Sequence, residues 1–368
     1  MAIKDLSELK VALVHENLAS RGGAEKVLTE MRKLFPAAPI YTAFYKPELF
    51  PELAQATVIA SGISRWGFFR NRHQLLAPII PYLFEQFDLS DYDLVISIST
   101  GGAKGVLTRP ETLHVCYCNT PMRWAWMPYL DRRASGSPIR RWAAHYLRIW
   151  DVASLPRVDA WIGNSVTIVN RIKKFYKVEA AVVYPPIAVS AKEPSTTDKG
   201  FYLTVSRLED QKRIDVIVEA AKLAKVPLKV VGKGPLLSAL QAQAAGHSNI
   251  EFLGYVSDEE KDRLYRDCKA FLFASEEDFG IVPVEAMSFG KPVIAYGKGG
   301  GSETVIDQKT GLHFTEQTPE SLASTMKTFD TMTFDAAAIA KHAQQFSAEE
   351  FRANLTHFLQ KAWRDHTS

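Results

Sequence analysis

Short unbroken apolar runs alternate with segments of helical periodicity along most of the chain. Residues 11–15 read as a buried strand, followed by a loop and a helix over about residues 24–35. Residues 40–44, 58–60, 94–99, 113–118, 159–163 and 181–184 read as further strands. Runs that are continuous rather than alternating predict strands covered on both faces, and hence a parallel sheet. The pattern breaks at Tyr184-Pro185-Pro186 and the polar stretch 191–200, where no periodicity survives. A second series then begins, with strands at 201–205, 228–231, 250–253, 270–273 and 292–295 and helices at 215–223, 236–245, 259–268 and 284–289. The last 35 or so residues read as helical. The prediction is α/β, with two doubly wound Rossmann-like domains at 1–187 and 188–345 facing across a cleft. A closing helix at 346–368 is expected to pack back on the first domain.

Composition changes this picture little. With 46% hydrophobic and 23% charged residues, the chain has the make-up of a soluble globular protein. Residues 1–10 are charged and lack an apolar core, which predicts no secretory signal, and no apolar run is long enough to span a bilayer. Cys116, Cys118 and Cys268 make a poor disulfide framework, so a reducing cytoplasm is expected. Charge is more informative. Residues 1–187 carry 23 Lys and Arg against 16 Asp and Glu, a net +7, whereas the remainder is net −4. In the first half cations sit beside aromatics, in Arg65-Trp66-Gly67-Phe68-Phe69-Arg70, Arg123-Trp124 and Arg140-Arg141-Trp142. Such a surface suits anionic lipid headgroups, though a mildly basic domain with aromatics in its core reads the same way.

In doubly wound sheets ligands bind beyond the carboxyl ends of the strands. After the first strand comes His15-Glu-Asn-Leu-Ala-Ser-Arg-Gly22-Gly23, glycines at a helix start where free N–H groups suit an anion. It is no dinucleotide fingerprint, and a plain loop remains an alternative. After the strand at 201–205 come Arg207, Lys212 and Arg213, cations able to neutralise a diphosphate without metal, or else solvated surface. Gly232-Lys-Gly234-Pro235 is a tight turn without the spacing of an ATP-hydrolysing loop. The stretch Glu276-Glu277-Asp278-Phe279-Gly280-Ile281-Val282-Pro283-Val284-Glu285 reads as a rigid hinge displaying N–H groups, with a hydroxyl-binding carboxylate on either side; a buried helix with two surface glutamates is the alternative. Asp91-Tyr92-Asp93 precedes its strand, at the wrong end for a ligand-bound metal, and no metal-ligand spacing is evident elsewhere.

Taken in order, Gly22-Gly23, Ser206-Arg207-Leu208 with Lys212, Glu277-x7-Glu285 enclosing Phe-Gly-Ile-Val-Pro, and Gly299-Gly300 before Glu303 resemble the family 4 retaining glycosyltransferases of GT-B architecture over essentially the whole chain. The resemblance implies an acceptor-binding first domain and a nucleotide-sugar-binding second domain. Arg207 and Lys212 would hold the diphosphate, Glu277 hydroxyls of the transferred sugar, and Glu285 the ribose. Backbone groups of Phe279, Gly280, Ile281 and Val282 would contact sugar and phosphate. Gly234, Tyr255 and Val256 would border the base and ribose, with Gly22 and Gly23 reaching the diphosphate from the first domain. No metal or other cofactor is implied.

The segment Cys116-Tyr117-Cys118-Asn119-Thr120-Pro121-Met122-Arg123-Trp124, with Asn164-Ser165 and Tyr184-Pro185-Pro186, is similar to bacterial mannosyltransferases of O-antigen and exopolysaccharide assembly. That implies GDP-mannose as donor and a polyprenyl-diphosphate-linked saccharide as acceptor. It also implies peripheral contact with the cytoplasmic membrane face and no nucleic acid partner. His15, Asn119, Arg123, Trp124 and His73 are the candidate acceptor contacts. Asn119 stands where many family members have histidine, and an amide cannot take a proton. Rival readings are a sugar-nucleotide epimerase, a transferase using a UDP-sugar, and a non-catalytic sugar-nucleotide-binding subunit.

Overall fold

The computed structural model describes residues 5–66, 79–128, 137–189 and 193–368. Contacts divide the chain into two compact units, Met1–Pro186 with Ala348–Ser368, and Ile187–Ser347. Each is built on one wholly parallel sheet.

The first unit has β1 (Val11–His15), β2 (Ile40–Thr42), β3 (Val58–Ala60), β4 (Leu94–Ser99), β5 (Leu113–Cys118), β6 (Ala160–Gly163) and β7 (Ala181–Val182), in spatial order β3-β2-β1-β4-β5-β6-β7. Successive side chains of a strand leave opposite faces, and both faces here are apolar. Val11 and Leu13 join one core with Val27, Met31 and Ile96, whereas Ala12 and Val14 join another with Leu83, Phe84 and Val95. The helix Ala348–Thr367 completes the first of these cores. It buries Phe351, Leu355, Leu359 and Trp363 at four-residue spacing, one stripe of a helix. The Phe351 ring meets Tyr117 edge-on at 6.0 Å, and Arg352 pairs with Glu30.

The second unit has β8 (Tyr202–Val205), β9 (Leu228–Val231), β10 (Ile250–Gly254), β11 (Ala270–Phe273), β12 (Val293–Tyr296) and β13 (Gly311–Phe314), ordered β10-β9-β8-β11-β12-β13. In each sheet the order reverses beside the first strand, between β1 and β4 and between β8 and β11. Those are the places where strand exits diverge and leave room for a ligand.

The structure differs from the sequence expectation at β13 and at the start of the helix that follows β11. β13 was not anticipated. It is short and opens on a glycine that packing demands, because a Cβ on Gly311 would lie 1.8 Å from the Val293 carbonyl oxygen. The helix expected at 284–289 starts earlier, at Ile281, because Gly280 takes φ +91° and turns the chain into it. The polar stretch after residue 192 is tied to the second unit: Ser195 N–H donates to the Phe289 carbonyl (2.9 Å) and Lys199 N–H to that of Asp267 (2.8 Å).

Candidate functional site

β8 and β11 exit side by side. Loops leaving them bring Lys212 and Glu277 into contact, Nζ donating to Oε1 at 2.6 Å, and Ser275 Oγ donates to the same oxygen at 2.9 Å. A cavity of about 180 Å3 lies there, lined by Ser206, Arg207, Lys212, Ser275, Glu277 and Val282 among others. The Lys212 and Glu277 side chains are 18% and 27% exposed, enough shelter to strengthen charge effects while leaving both reachable. One ammonium proton serves Glu277, and two remain for a ligand. The Arg207 side chain lines the same cavity and is 72% exposed, with Nη1 donating to Glu209 at 3.2 Å. Arg213, the third cation of the segment, is turned away, bonding Gln317 Oε1 (2.7 Å) and Asp215 (3.2 Å).

Phe279, Gly280, Ile281, Val282 and Glu285, all expected to contact a donor, lie on the loop and helix after β11. Phe279 is buried with its ring against Phe346 at 5.5 Å, so it can offer a ligand only backbone. Gly280 caps the helix Ile281–Ser288, and the N–H groups of Ile281 and Val282 lack intrahelical acceptors by position, while Pro283 has none to give. Gly299 and Gly300 close over the same loop. Gly300 N–H donates to the Glu277 carbonyl at 2.7 Å, and a Cβ on Gly300 would lie 1.9 Å from the Phe279 oxygen. Glu285 sits on the helix but does not line the cavity. It accepts from Tyr265 Oη at 3.2 Å and lies 4.0 Å from Lys261 Nζ. Burial works to lower the Lys261 pKa, but Glu285 and Asp258 outweigh it and leave it raised, so a full positive charge faces Glu285.

Gly234, Tyr255 and Val256 also lie outside the cavity lining. Gly234 is required by the protein's own backbone: a Cβ there would meet the Leu208 oxygen at 2.3 Å, as one on Gly232 would meet Ser206 oxygen at 1.7 Å. Tyr255 is exposed, with Lys233 Nζ 5.7 Å from its ring centroid.

In the first unit the corresponding strand exits are occupied by the chain itself. Glu16, just past β1, accepts from the N–H groups of Thr100, Gly102 and Ala103 at 2.9–3.2 Å and from Ser99 Oγ at 3.4 Å. Burial pushes its pKa up while those N–H groups pull it down, with burial the stronger. Gly22 N–H donates to Glu25 Oε2 at 2.6 Å, so the helix Gly23–Leu34 already has a carboxylate at its start. An anion reaching Gly22 or Gly23 would have to displace it. His15 is buried, its pKa lowered to about 4 by desolvation; Nδ1 accepts from Asn17 N–H at 3.3 Å and Nε2 has no partner. Across β4, Asn119 N–H donates to the Ser99 carbonyl at 2.9 Å, while its side-chain Nδ2 is buried without an acceptor. Arg123 opens the short helix Arg123–Trp126, and Trp124 packs half-buried against Met122, Ala125 and Leu147. His73 and residues 67–70 lie outside the described residues. Among the described residues no group of three or more His, Cys, Asp or Glu is placed to hold a metal ion.

Residues 188–346 match the family Glycosyl transferases group 1. The fold is GT-B. A crystal structure of Anabaena Alr3699/HepE in complex with UDP and glucose superposes with a TM-score of 0.68 at 19% identity, over 96% of this chain and 100% of that one. In sequence the chain is similar to O-antigen chain mannosyltransferase C of Escherichia coli, 32% identical over 119 residues. That match takes in 31% of this chain and 32% of the relative, so the chain spans about a third of the length of the relative it matches. It is also similar to alpha-1,3/1,6-mannosyltransferase ALG2 of Dictyostelium discoideum, 25% identical over 376 residues, 84% of this chain and 87% of that protein.

Within this glycosyl transferases group 1 region, sequence reasoning missed the residues that hold the charged groups in place. Gln317 ties Arg213 to the Ala274 carbonyl, its Nε2 donating at 2.8 Å. Ser275 steadies Glu277, and Tyr265 with Lys261 brackets Glu285. Only Ser275 carried a signal, its place beside Glu277 at the end of β11.

Proposed function

We propose that this protein is a retaining hexosyltransferase that moves mannose from GDP-mannose to a lipid-linked saccharide in polysaccharide assembly. The observation that carries the reading is the Lys212–Glu277 pair over a cavity at the β8/β11 reversal, with Arg207 exposed beside it. A diphosphate needs concentrated positive charge, and a hexose needs a carboxylate to accept from its hydroxyls; this place offers both. Mannose is favoured by the two mannosyltransferase relatives, and a lipid-borne acceptor by the O-antigen one.

In the proposed reaction the anomeric C–O bond to the β-phosphate breaks as the acceptor hydroxyl oxygen bonds the same face of that carbon. The hydroxyl proton passes to a phosphate oxygen. Lys212 and Arg207 stabilise the negative charge growing on the departing diphosphate, and Glu277 fixes the ring through its hydroxyls. The first-turn N–H groups of Ile281 and Val282 add fixed dipoles. This scheme assigns charge neutralisation to side chains, so turnover is expected to persist in EDTA.

A second reading takes a UDP-sugar instead, favoured by the neighbouring structure that holds UDP and glucose. Thermal stabilisation by a panel of nucleotides separates the two, since a ligand bound only by the native form raises its melting temperature. GDP and GDP-mannose are expected to stabilise the protein more than their uridine counterparts. The reverse order would move the donor to UDP, and no response to any nucleotide would end the transferase reading.

A further inference from the structure

Lys212 and Glu277 reach their 2.6 Å contact from two separate loops, one leaving β8 and the other β11. A third loop, leaving β13, joins the two. Gln317 on it accepts from Arg213 Nη1 at 2.7 Å and donates from Nε2 to the Ala274 carbonyl at 2.8 Å. Arg213 is the residue after Lys212, and Ala274 precedes Ser275, whose hydroxyl donates to Glu277. A guanidinium only donates and a carbonyl only accepts, so a side chain between them must accept at one end and donate at the other. A carboxamide does both in one rigid plane, and these two partners fix which way round it sits. The loop that carries Gln317 is itself anchored. Thr318 Oγ1 caps the helix Pro319–Phe329 by accepting from Ser321 N–H at 3.3 Å. That helix shares a core with the helix Ile214–Ala224 through Leu322, Met326 and Ile217.

Arg213 is also held in a conformation that its residue type disfavours. Its φ of +52° and ψ of 39° are left-handed, at the junction between the turn Asp210–Lys212 and the helix Ile214–Ala224. Residues other than glycine, asparagine and aspartate rarely enter that region. Such a backbone persists where its surroundings over-determine it. Here the side chain does so: beside the Gln317 bond, Nε and Nη2 donate to the two oxygens of Asp215 at 3.2 Å each. Each of the three guanidinium nitrogens thus has an acceptor within the protein, and Arg213 does not line the cavity that Arg207 and Lys212 share. Lys212, by contrast, is a point charge on a flexible stem, so its value to a diphosphate depends on where its loop holds it. A misplacement of about 1 Å in such a group can cost about 10²-fold.

We infer that Arg213 and Gln317 form a brace that positions Lys212 against Glu277, and that Arg213, which the sequence offers as a diphosphate contact, binds no phosphate itself. This rests on the diphosphate reading of the Lys212 site, and its test keeps the two apart. The probes are GMP, GDP, UMP and UDP, with Kd measured by calorimetry on the full chain at one salt concentration. The ratio of monophosphate to diphosphate Kd isolates the second phosphate, and so the charge that Lys212 presents to it. Gln317→Leu removes no charge, yet it should lower that ratio about fivefold while monophosphate Kd stays unchanged. Arg213→Lys keeps the charge and loses the fork, and it should do the same. Lys212→Ala should lower the ratio further. Adding Gln317→Leu to Lys212→Ala should change nothing more, because the brace acts through the lysine. Melting temperatures check the fold, and if Gln317→Leu unfolds the protein, Arg213→Lys carries the test from a side chain that is 34% exposed. A ratio unchanged in Gln317→Leu, a ratio preserved in Arg213→Lys, or additive losses in the double variant overturns the inference and leaves the diphosphate reading standing. Wild-type protein that binds diphosphates no more tightly than monophosphates overturns that reading, and the inference with it.

Discussion

The β1/β4 exit of the first unit and the β8/β11 exit of the second are the same feature of the same topology, and they are furnished in opposite ways. At the first, Glu16 takes up the N–H groups that the β4 loop offers, and Glu25 takes that of Gly22. Anion-binding capacity is used up internally, and the polar atoms left over, His15 Nε2 and Asn119 Nδ2, are neutral and buried. At the second, the loops present cations to a cavity, with Lys212 only partly engaged by Glu277. The fold provides two candidate anion sites, and the side chains close one and open the other. This is why the reading above places the diphosphate in the second unit and leaves the first to uncharged hydroxyls.

The largest effect should come from removing the cation of the open site. Lys212→Ala is expected to lower kcat about 10²–10³-fold, as loss of one charge-stabilising donor does elsewhere. Glu16→Gln, the matched change in the closed site, should leave donor affinity unchanged. Steady-state kinetics of both variants sharpens the contrast, and equal losses would break it.

Acid should distinguish the units next. Desolvation lowers the pKa of both His15 and His114 from 6.5 to about 4. His114 is held by Ser97 Oγ at 2.9 Å and the Arg157 carbonyl at 2.7 Å. Between those pH values the unfolded chain binds more protons than the folded one, so stability is fully present above about pH 6.5 and is lost as pH falls through 4. Each histidine contributes up to about 3 kcal/mol of this slope. Glu16 and Glu25, with raised pKa values, act in the opposite direction, losing stabilisation as pH rises above 4.5. Denaturant titrations across this range should show a shallower acid loss in His114→Gln, and an unchanged slope would reject the assignment.

The smallest effect concerns the edge of the open site. Tyr265→Phe removes one hydrogen bond to Glu285 and should raise the donor KM about fivefold, with kcat unchanged. A kcat effect instead would place Glu285 nearer the chemistry than the ribose.

The strands were readable because a buried parallel strand is a continuous apolar run, as in Val11–His15 and Leu94–Ser99. β13 escaped because Gly311 and His313 interrupt that signal, and only the Val293 backbone explains the glycine. In the site, Lys212 and Glu277 could be picked out because strand ends are predictable. Glu16 and Gln317 could not, since their partners lie 84 and 43 residues away in the chain, at Thr100 and Ala274. The glycines at 232 and 234 show a related ambiguity. Room for a ligand and room for a neighbouring loop leave the same mark on a sequence.

The return of the last helix to the first unit bears on biosynthesis. Its Phe351, Leu355, Leu359 and Trp363 cover the same core as Leu13 and Met31, which leave the ribosome some 320 residues earlier. During translation the leading half must wait with an uncovered apolar face, while the second unit has its described strands and helices before the helix Ala348–Thr367 emerges. The order of emergence and the order of completion are therefore reversed, and the nascent protein passes through a stage in which its older part is the one most in need of a chaperone.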